Sequence, residues 1–344
     1  MMKMINRYFI FMCFLTFANN TTFAQRPENF WRNPEGMIQE QAILLFEQAH
    51  KILANNPPSA VANDERKLAL ISIDALLHDN RIDNSKAFID YVEKRIQTVV
   101  DKIKNETLNE NEIRIHKLYN HAFIVQTPTV TIGFDIYRGG RSAQPFISEA
   151  LTLSVVNLCD ILFVSHEHRD HADMYVAQLF CEQQKNVIAP AGLWENMSPQ
   201  IIHLRGENVV TERINISHKN ATLTVKVFPG HQDVMLNNVY AVTTPEGKTF
   251  MHTGDQYNTD DVTKWITSVN NEVKVDVLLV HCWMLDMEKS IDGIKPEIII
   301  VGHENEMGHT IDHREPFWLT FRRMQNIRVP YVVMAWGESY NYFY

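Results

Sequence analysis

The stretch Ser165-His166-Glu167-His168-Arg169-Asp170-His171 decides how this chain is read. It follows a short apolar run, Ile161-Leu162-Phe163-Val164, and precedes Ala172 to Gln184, where Met174, Val176, Ala177, Leu179 and Phe180 recur at helical spacing. The order is strand, short loop, helix. Three imidazoles and a carboxylate on so short a loop can turn several lone pairs toward one point, which is what a metal ion requires. A solvated charged turn has no need of four potential ligands in the pattern His-x-His-x-Asp-His directly after a buried strand. The loop reads as a metal site.

Outward from the loop, 344 residues suffice for one large α/β domain with a smaller appendage, and 45% hydrophobic with 21% charged residues is the composition of a globular chain. Residues 1–24 carry Lys3 and Arg7, an apolar run from Tyr8 to Ala18, and then Thr22-Phe23-Ala24. Basic, apolar and small-residue regions in that order are a secretory signal with a cut after Ala24, and the apolar run is too short for a stable membrane span. A periplasmic or secreted protein is expected. The formal net charge is −9 and loses two basic residues with the leader, so the chain is a poor candidate for gripping nucleic acid, whose phosphates call for clustered Lys and Arg. Beyond the leader, Cys159, Cys181 and Cys282 match no zinc knuckle or disulfide framework and read as small buried hydrophobes.

Residues 25–111 read as a helical N-terminal domain. Met37 to Leu53, Asp64 to His78 and a third segment from Asn84-Ser85 carry apolar stripes, the last with Phe88, Val92, Ile96, Val99 and Ile103. His50 and His78 are single histidines on these helices and do not have ligand spacing. From Glu112 short β-branched and aromatic runs take over. Hairpins are expected across Thr127-Pro128 and Pro245-Glu246-Gly247, and strands over Ile161 to Val164, Thr222 to Phe228, Val275 to Val280, Glu297 to Val301 and Val329 to Ala335. Several of these strands end on a polar residue or a histidine: Gly230-His231, His252-Thr253-Gly254-Asp255, His281 and Gly302-His303. Their tips are expected to gather at one edge.

These residues resemble the metallo-β-lactamase superfamily of hydrolases over about Ile115 to Tyr340, through the loop His166-x-His168-x-Asp170-His171, then Gly230-His231, Thr253-Gly254-Asp255 and Gly302-His303 in that order. Asp135 after Gly133-Phe134 is similar to the family's first motif, an aspartate that shapes the metal loop from behind. The resemblance implies an α/β fold, the αββα sandwich, over 112–344, with the helical domain outside the match. Within the family the chain looks closest to the branch of ascorbate-6-phosphate lactonase and related phosphodiesterases. Carried over, His166, His168 and His231 would hold one metal, Asp170, His171 and His303 a second, and Asp255 both, with Asp170 and Asp255 the carboxylates nearest the chemistry. Two divalent ions would lower the pKa of a shared water from near 15.7 toward about 7 and polarise a carbonyl or phosphoryl oxygen. Imidazole and carboxylate ligands suit zinc first, and also manganese or iron.

The implied function is an exported dinuclear hydrolase acting on a small-molecule ester, lactone or phosphoester. A β-lactamase fits less well, because the shared position is Asp255 where that group has a different ligand. A non-catalytic metal-binding protein of the same fold is the alternative from another class, and a redox di-iron role lacks any flavin-binding segment after Tyr344. The sequence leaves open whether the chain is a homo-oligomer, and what His252, His281, Glu304, Glu306 and His309 do. His203 and His218 read as surface residues in polar turns.

Overall fold

The computed structural model describes residues 33–140, 144–204 and 208–344, so the secretory signal read from residues 1–24 lies outside the described residues. Three helices come first: α1 (Pro34–Asn55), α2 (Asp64–Leu77) and α3 (Lys86–Asn105). Each starts where the sequence offers a cap. Asn33 Oδ1 accepts from Gly36 N at 2.9 Å, Asn63 Oδ1 from Arg66 N at 2.9 Å, and Ser85 Oγ from Phe88 N at 3.2 Å. The apolar stripe of α3 is buried at Phe88, Val92, Ile96 and Val99. No described helix is long and apolar enough to cross a membrane.

The strands are β1 (Glu112–Lys117), β2 (Phe123–Gln126), β3 (Thr131–Phe134), β4 (Ile161–Phe163), β5 (Asn186–Pro190), β6 (Ile201–Leu204) and β7 (Val210–Ile216). They continue with β8 (Ala221–Gln232), β9 (Met235–Thr243), β10 (Thr249–His252), β11 (Val277–His281), β12 (Ile298–Gly302), β13 (Tyr331–Val333) and β14 (Glu338–Phe343). Among the described residues they form two seven-stranded sheets, in the orders β14-β1-β2-β3-β4-β5-β6 and β13-β12-β11-β10-β9-β8-β7. Both expected hairpins are present as the antiparallel pairs β2–β3 and β9–β10.

Three apolar cores show how the layers stack. Ile161 and Phe163 point into the core between the sheets, together with Val277, Leu279, Ile298 and Ile300 from the second sheet. Their neighbours Leu162 and Val164 point the other way, into a core shared with α1 to α3 and two later helices, α4 (Glu149–Leu158) and α5 (Met174–Glu182). Leu278, Val280, Ile299 and Val301 face a third core with Val262 of α6 (Thr259–Lys264), Val269 of α7 (Val269–Glu272), Ile291 of α8 (Met287–Ile294) and Met324 of α9 (Phe317–Met324), over the second sheet. Side chains alternate across a strand, so continuous apolar runs such as Ile298–Val301 are what a sheet covered on both faces requires. The result is a helix, sheet, sheet, helix sandwich.

Two features of this sandwich place the site. Strands β3 to β6 run parallel, as do β10 to β13, so the carboxyl ends of each set share an edge. The two edges are joined there: Asn238 N donates to Ser165 O at 2.8 Å, and Tyr240 Oη to Val164 O at 2.9 Å.

Candidate metal centre

Each site segment leaves the tip of a parallel strand or an adjoining long strand. Ser165 to His171 links β4 to α5, whose N-cap Asp173 accepts from Tyr175 N at 3.0 Å. His231 is near the end of β8, Asp255 follows β10, and His303 follows β12. Gly254 has φ +50°, and a Cβ there would stand 2.2 Å from Asn237 Oδ1 and 2.5 Å from Ser165 Cβ. Only glycine lets the chain pass that point and present Asp255 to the loop.

The structure brings the sequence-derived residues together in two groups that share Asp255. One is Asp170, His171, Asp255 and His303; the other is His166, His168 and Asp255. Asp255 Oδ2 lies 3.2 Å from His171 Nε2 and 3.3 Å from His303 Nε2, and Asp170 Oδ2 lies 3.4 Å from both of those nitrogens. Ligands at about 2.0–2.1 Å around a tetrahedral ion stand roughly 3.3–3.4 Å from one another. The four imidazole–carboxylate pairs of this group are already near that spacing. In the second group His166 Nε2 is 3.8 Å from Asp255 Oδ2, and His231 lies outside the group with its side chain 36% exposed.

What stands behind the imidazoles aims them. Asp135 Oδ2 is 2.7 Å from His171 Nδ1, and the same carboxylate accepts from Ser165 N at 2.7 Å and Ser165 Oγ at 2.6 Å. Ser165 Oγ in turn lies 3.0 Å from His166 Nδ1, and Asp261 Oδ2 lies 3.0 Å from His231 Nδ1. With Nδ1 engaged, Nε2 carries the free lone pair, which is the usual arrangement behind a metal-ligating histidine. Asn120 Nδ2 donates to Asp170 Oδ2 at 3.1 Å, and Asn237 Oδ1 accepts from Asp255 N at 3.0 Å.

Electrostatics agree with a cation at this point. Burial alone would push the carboxyl of Asp255 up, but His171 and His303 beside it hold it well below the usual range. Burial likewise works against a charged His303, yet Asp255 and Asp170 raise it to about 10. The buried atoms His166 Nε2, His171 Nε2, His303 Nε2 and Asp255 Oδ1 find no hydrogen-bond partner among the described residues. Unsatisfied buried polar atoms cost about 1–3 kcal/mol each, and a divalent ion satisfies several at once. The residues present therefore fit such an ion.

The residues left open in the sequence take distinct places. His252 is buried behind the site, stacked on Phe134 at 5.2 Å, with Nε2 3.1 Å from His121 O. His281 Nε2 is 2.9 Å from Gln256 O, and Glu304 pairs with Lys117 in a fully buried ion pair. Glu306 is buried, and its burial followed by the charge of Asp170 pushes its carboxyl up to about 7. The ring of His309 lies 5.9 Å from that of His303. Of the two histidines read as surface residues, His203 is half-buried on β6 and His218 is partly exposed against Asp160. Cys159 and Cys282 are buried and Cys181 half-buried, and none forms a disulfide among the described residues.

Sequence reasoning passed over Asn120, His121, Asn237, Gln256, Asp261, Tyr257 and Trp283. Trp283 stands edge-on to His303 at 5.5 Å, and Tyr257 packs 5.3 Å from Trp283 while 40% exposed. A signal existed for some of them, since Tyr257 and Asp261 follow the Asp255 motif within six residues.

No family model and no curated protein matches the chain. Solved structures do. A metallo hydrolase from the hyperthermophilic archaeon Ignicoccus hospitalis superposes with a TM-score of 0.51 at 14% identity, covering 68% of this chain and 99% of that one. An isothiocyanate hydrolase from Delia radicum gut bacteria gives 0.50 at 13% identity, covering 67% and 99%. With the two-sheet topology, this likeness shows that the chain shares the αββα fold of these two hydrolases.

Proposed function

We propose that the protein is an exported, dinuclear-metal-dependent hydrolase of small esters, lactones or phosphoesters, zinc being the metal that its ligand types favour. The observation that carries the reading is Asp255, a buried carboxylate common to two ligand groups. Neighbours in fold named as a metallo hydrolase and an isothiocyanate hydrolase support hydrolysis as the reaction class. Two divalent ions held there would supply an acidified water and a positive charge for the oxygen of the scissile group. The chain's own residues do the rest. Asp135 keeps His171 turned with Nε2 toward Asp255, Asp261 engages Nδ1 of His231, Asn120 steadies Asp170, and Asn237 fixes the backbone of Asp255. Trp283 and Tyr257 give a substrate an apolar wall beside His303.

The test is metal analysis of the purified protein, with turnover measured on simple phosphodiesters, lactones and β-lactams. Two equivalents of zinc, manganese or iron with hydrolysis in one of the first two classes is expected. Two bound metals and no turnover in any class would put a non-catalytic metal protein in its place. Export rests on the order of regions in residues 1–24. Protein from the native host should begin near Gln25, and an intact Met1 in the mature chain would defeat that part.

A further inference from the structure

Beyond His303 the chain runs through 304–316 without a strand before entering α9 (Phe317–Met324), and its backbone is held in demanding conformations. His303 and Asn305 have φ of +70° and +57°, in the left-handed region that non-glycine residues enter uncommonly, Asn and His more often than most. Something must hold them there. Near His303 the sandwich itself supplies some of the hold, with His303 N donating to Asn120 O at 3.3 Å and Met307 N to Tyr119 Oη at 2.8 Å; further along, the holding groups come from the N-terminal helices and the turn after α2.

Asp74, buried on α2, places Oδ1 2.8 Å from Asn305 Nδ2 and 2.8 Å from Phe317 N, and Oδ2 3.0 Å from Trp318 N, accepting from all three. It caps α9, whose own N-cap residue Pro316 supplies no side-chain bond. Arg314, also buried, reaches the other way. It donates to both carboxylate oxygens of Asp83 at 2.8 and 2.7 Å, to Leu77 O at the end of α2 at 2.8 Å, and to His309 O at 3.0 Å. The segment is thus gripped at Asn305, at Arg314 and at the start of α9.

We propose that α2 and the turn after it are a clamp that fixes the segment carrying His303, so that Asp74 and Asp83 are positioning residues for the ion held by Asp170, His171, His303 and Asp255. The proposal rests on the metal-centre reading above for its effect on affinity, and on the hydrogen bonds alone for its effect on the segment. It gives the N-terminal helices a role in the site although they contribute no ligand group among the described residues.

The test uses the full chain and four variants: Asp74→Ala, Asp74→Asn, Asp83→Ala and, as a matched loss of packing on the same helix, Leu70→Ala. Hydrogen exchange is followed by peptide, and zinc affinity by competition with a chromophoric chelator. Asp74→Ala and Asp83→Ala should speed exchange in 303–316 with 165–171 unchanged, and weaken one of two zinc ions about tenfold, the scale of losses behind a metal ligand. Asp74→Asn, which keeps an acceptor oxygen, should recover part of both effects. Leu70→Ala should lower the melting temperature without singling out 303–316 or either ion. Equal exchange in 303–316 for Asp74→Ala and Leu70→Ala, or faster exchange with both zinc affinities unchanged, overturns the clamp. If the parent chain takes up no zinc, the metal-centre reading falls and the exchange arm alone decides the clamp.

Discussion

The two ligand groups around Asp255 differ in how finished they are. In the first, the imidazoles of His171 and His303 each stand 3.2 to 3.4 Å from the carboxylates of Asp170 and Asp255, and both imidazoles are almost fully buried. In the second, His166 is 3.8 Å from Asp255 and His231 sits outside the group with a third of its side chain exposed. A cage already at ligand spacing loses little to reorganisation when it takes an ion, whereas a half-open one must close on its ion and order exposed side chains. The closed half should hold the tighter ion. In the open half the exposure lies at His231, while His166 and Asp255 are buried.

The largest effect that comparison allows is loss of both halves together. Asp255→Ala removes the carboxylate common to the two groups, and with it the negative charge that offsets repulsion between two cations. Both ions should be lost or greatly weakened, with rate lowered on the order of 10³-fold, about 4 kcal/mol of transition-state stabilisation. A variant that kept two ions and full activity would remove the shared ligand from the scheme. Next in size is His303→Ala, expected to release the tighter ion and spare the other. His309→Ala and His252→Ala should keep both, because the ring of His309 stands beside His303 outside either ligand group and His252 is turned back on Phe134. Metal analysis showing the reverse pattern would exchange their roles. His231→Ala should act on the open half, releasing the weaker ion, and a titration in which it removed the tighter one would invert the two halves.

The loop that serves both halves and the strand tip that carries His303 were the most legible parts of the site in the sequence. His166 to His171 sit within six residues on one loop, and Gly302-His303 follows a β-branched run that could only be a buried strand, so spacing and strand tips carried those positions. The αββα layers were readable for the same reason, since runs such as Ile298–Val301 advertise a sheet covered on both faces. Polar edges were not. Strand β7 is mostly exposed, and β14, which pairs with β1 from the far end of the chain, mixes Glu338, Ser339 and Asn341 with tyrosines in a pattern that local propensity does not separate from a loop. The supports of the site were hidden too. Asn120, Asn237 and Asp261 act through one or two hydrogen bonds made by tertiary proximity, and a lone Asn or Asp carries no spacing by which to find it. The grip of Asp74 and Arg314 on the His303 segment spans over two hundred residues of chain.

The smallest effect tests the open half through its support. Asp261 lies on α6 (Thr259–Lys264), where its carboxylate stands 3.0 Å from His231 Nδ1 and accepts from Gln256 Nε2 at 3.0 Å. Gln256 Oε1 accepts from His231 N at 2.9 Å, so Gln256 and Asp261 together frame His231. Asp261→Asn keeps the shape and one acceptor oxygen and removes the negative charge, leaving His231 aimed but less basic. Loss of such a partner weakens metal binding by about 10- to 100-fold, and because an acceptor remains the lower end is expected, about 1.4 kcal/mol, on the weaker ion alone. Zinc competition on Asp261→Asn beside His231→Ala measures it. Equal losses for the two variants would mean that the frame is as indispensable as the ligand and that the open half is as organised as the closed one. No change in either ion would mean that Asp261 serves its helix and not His231.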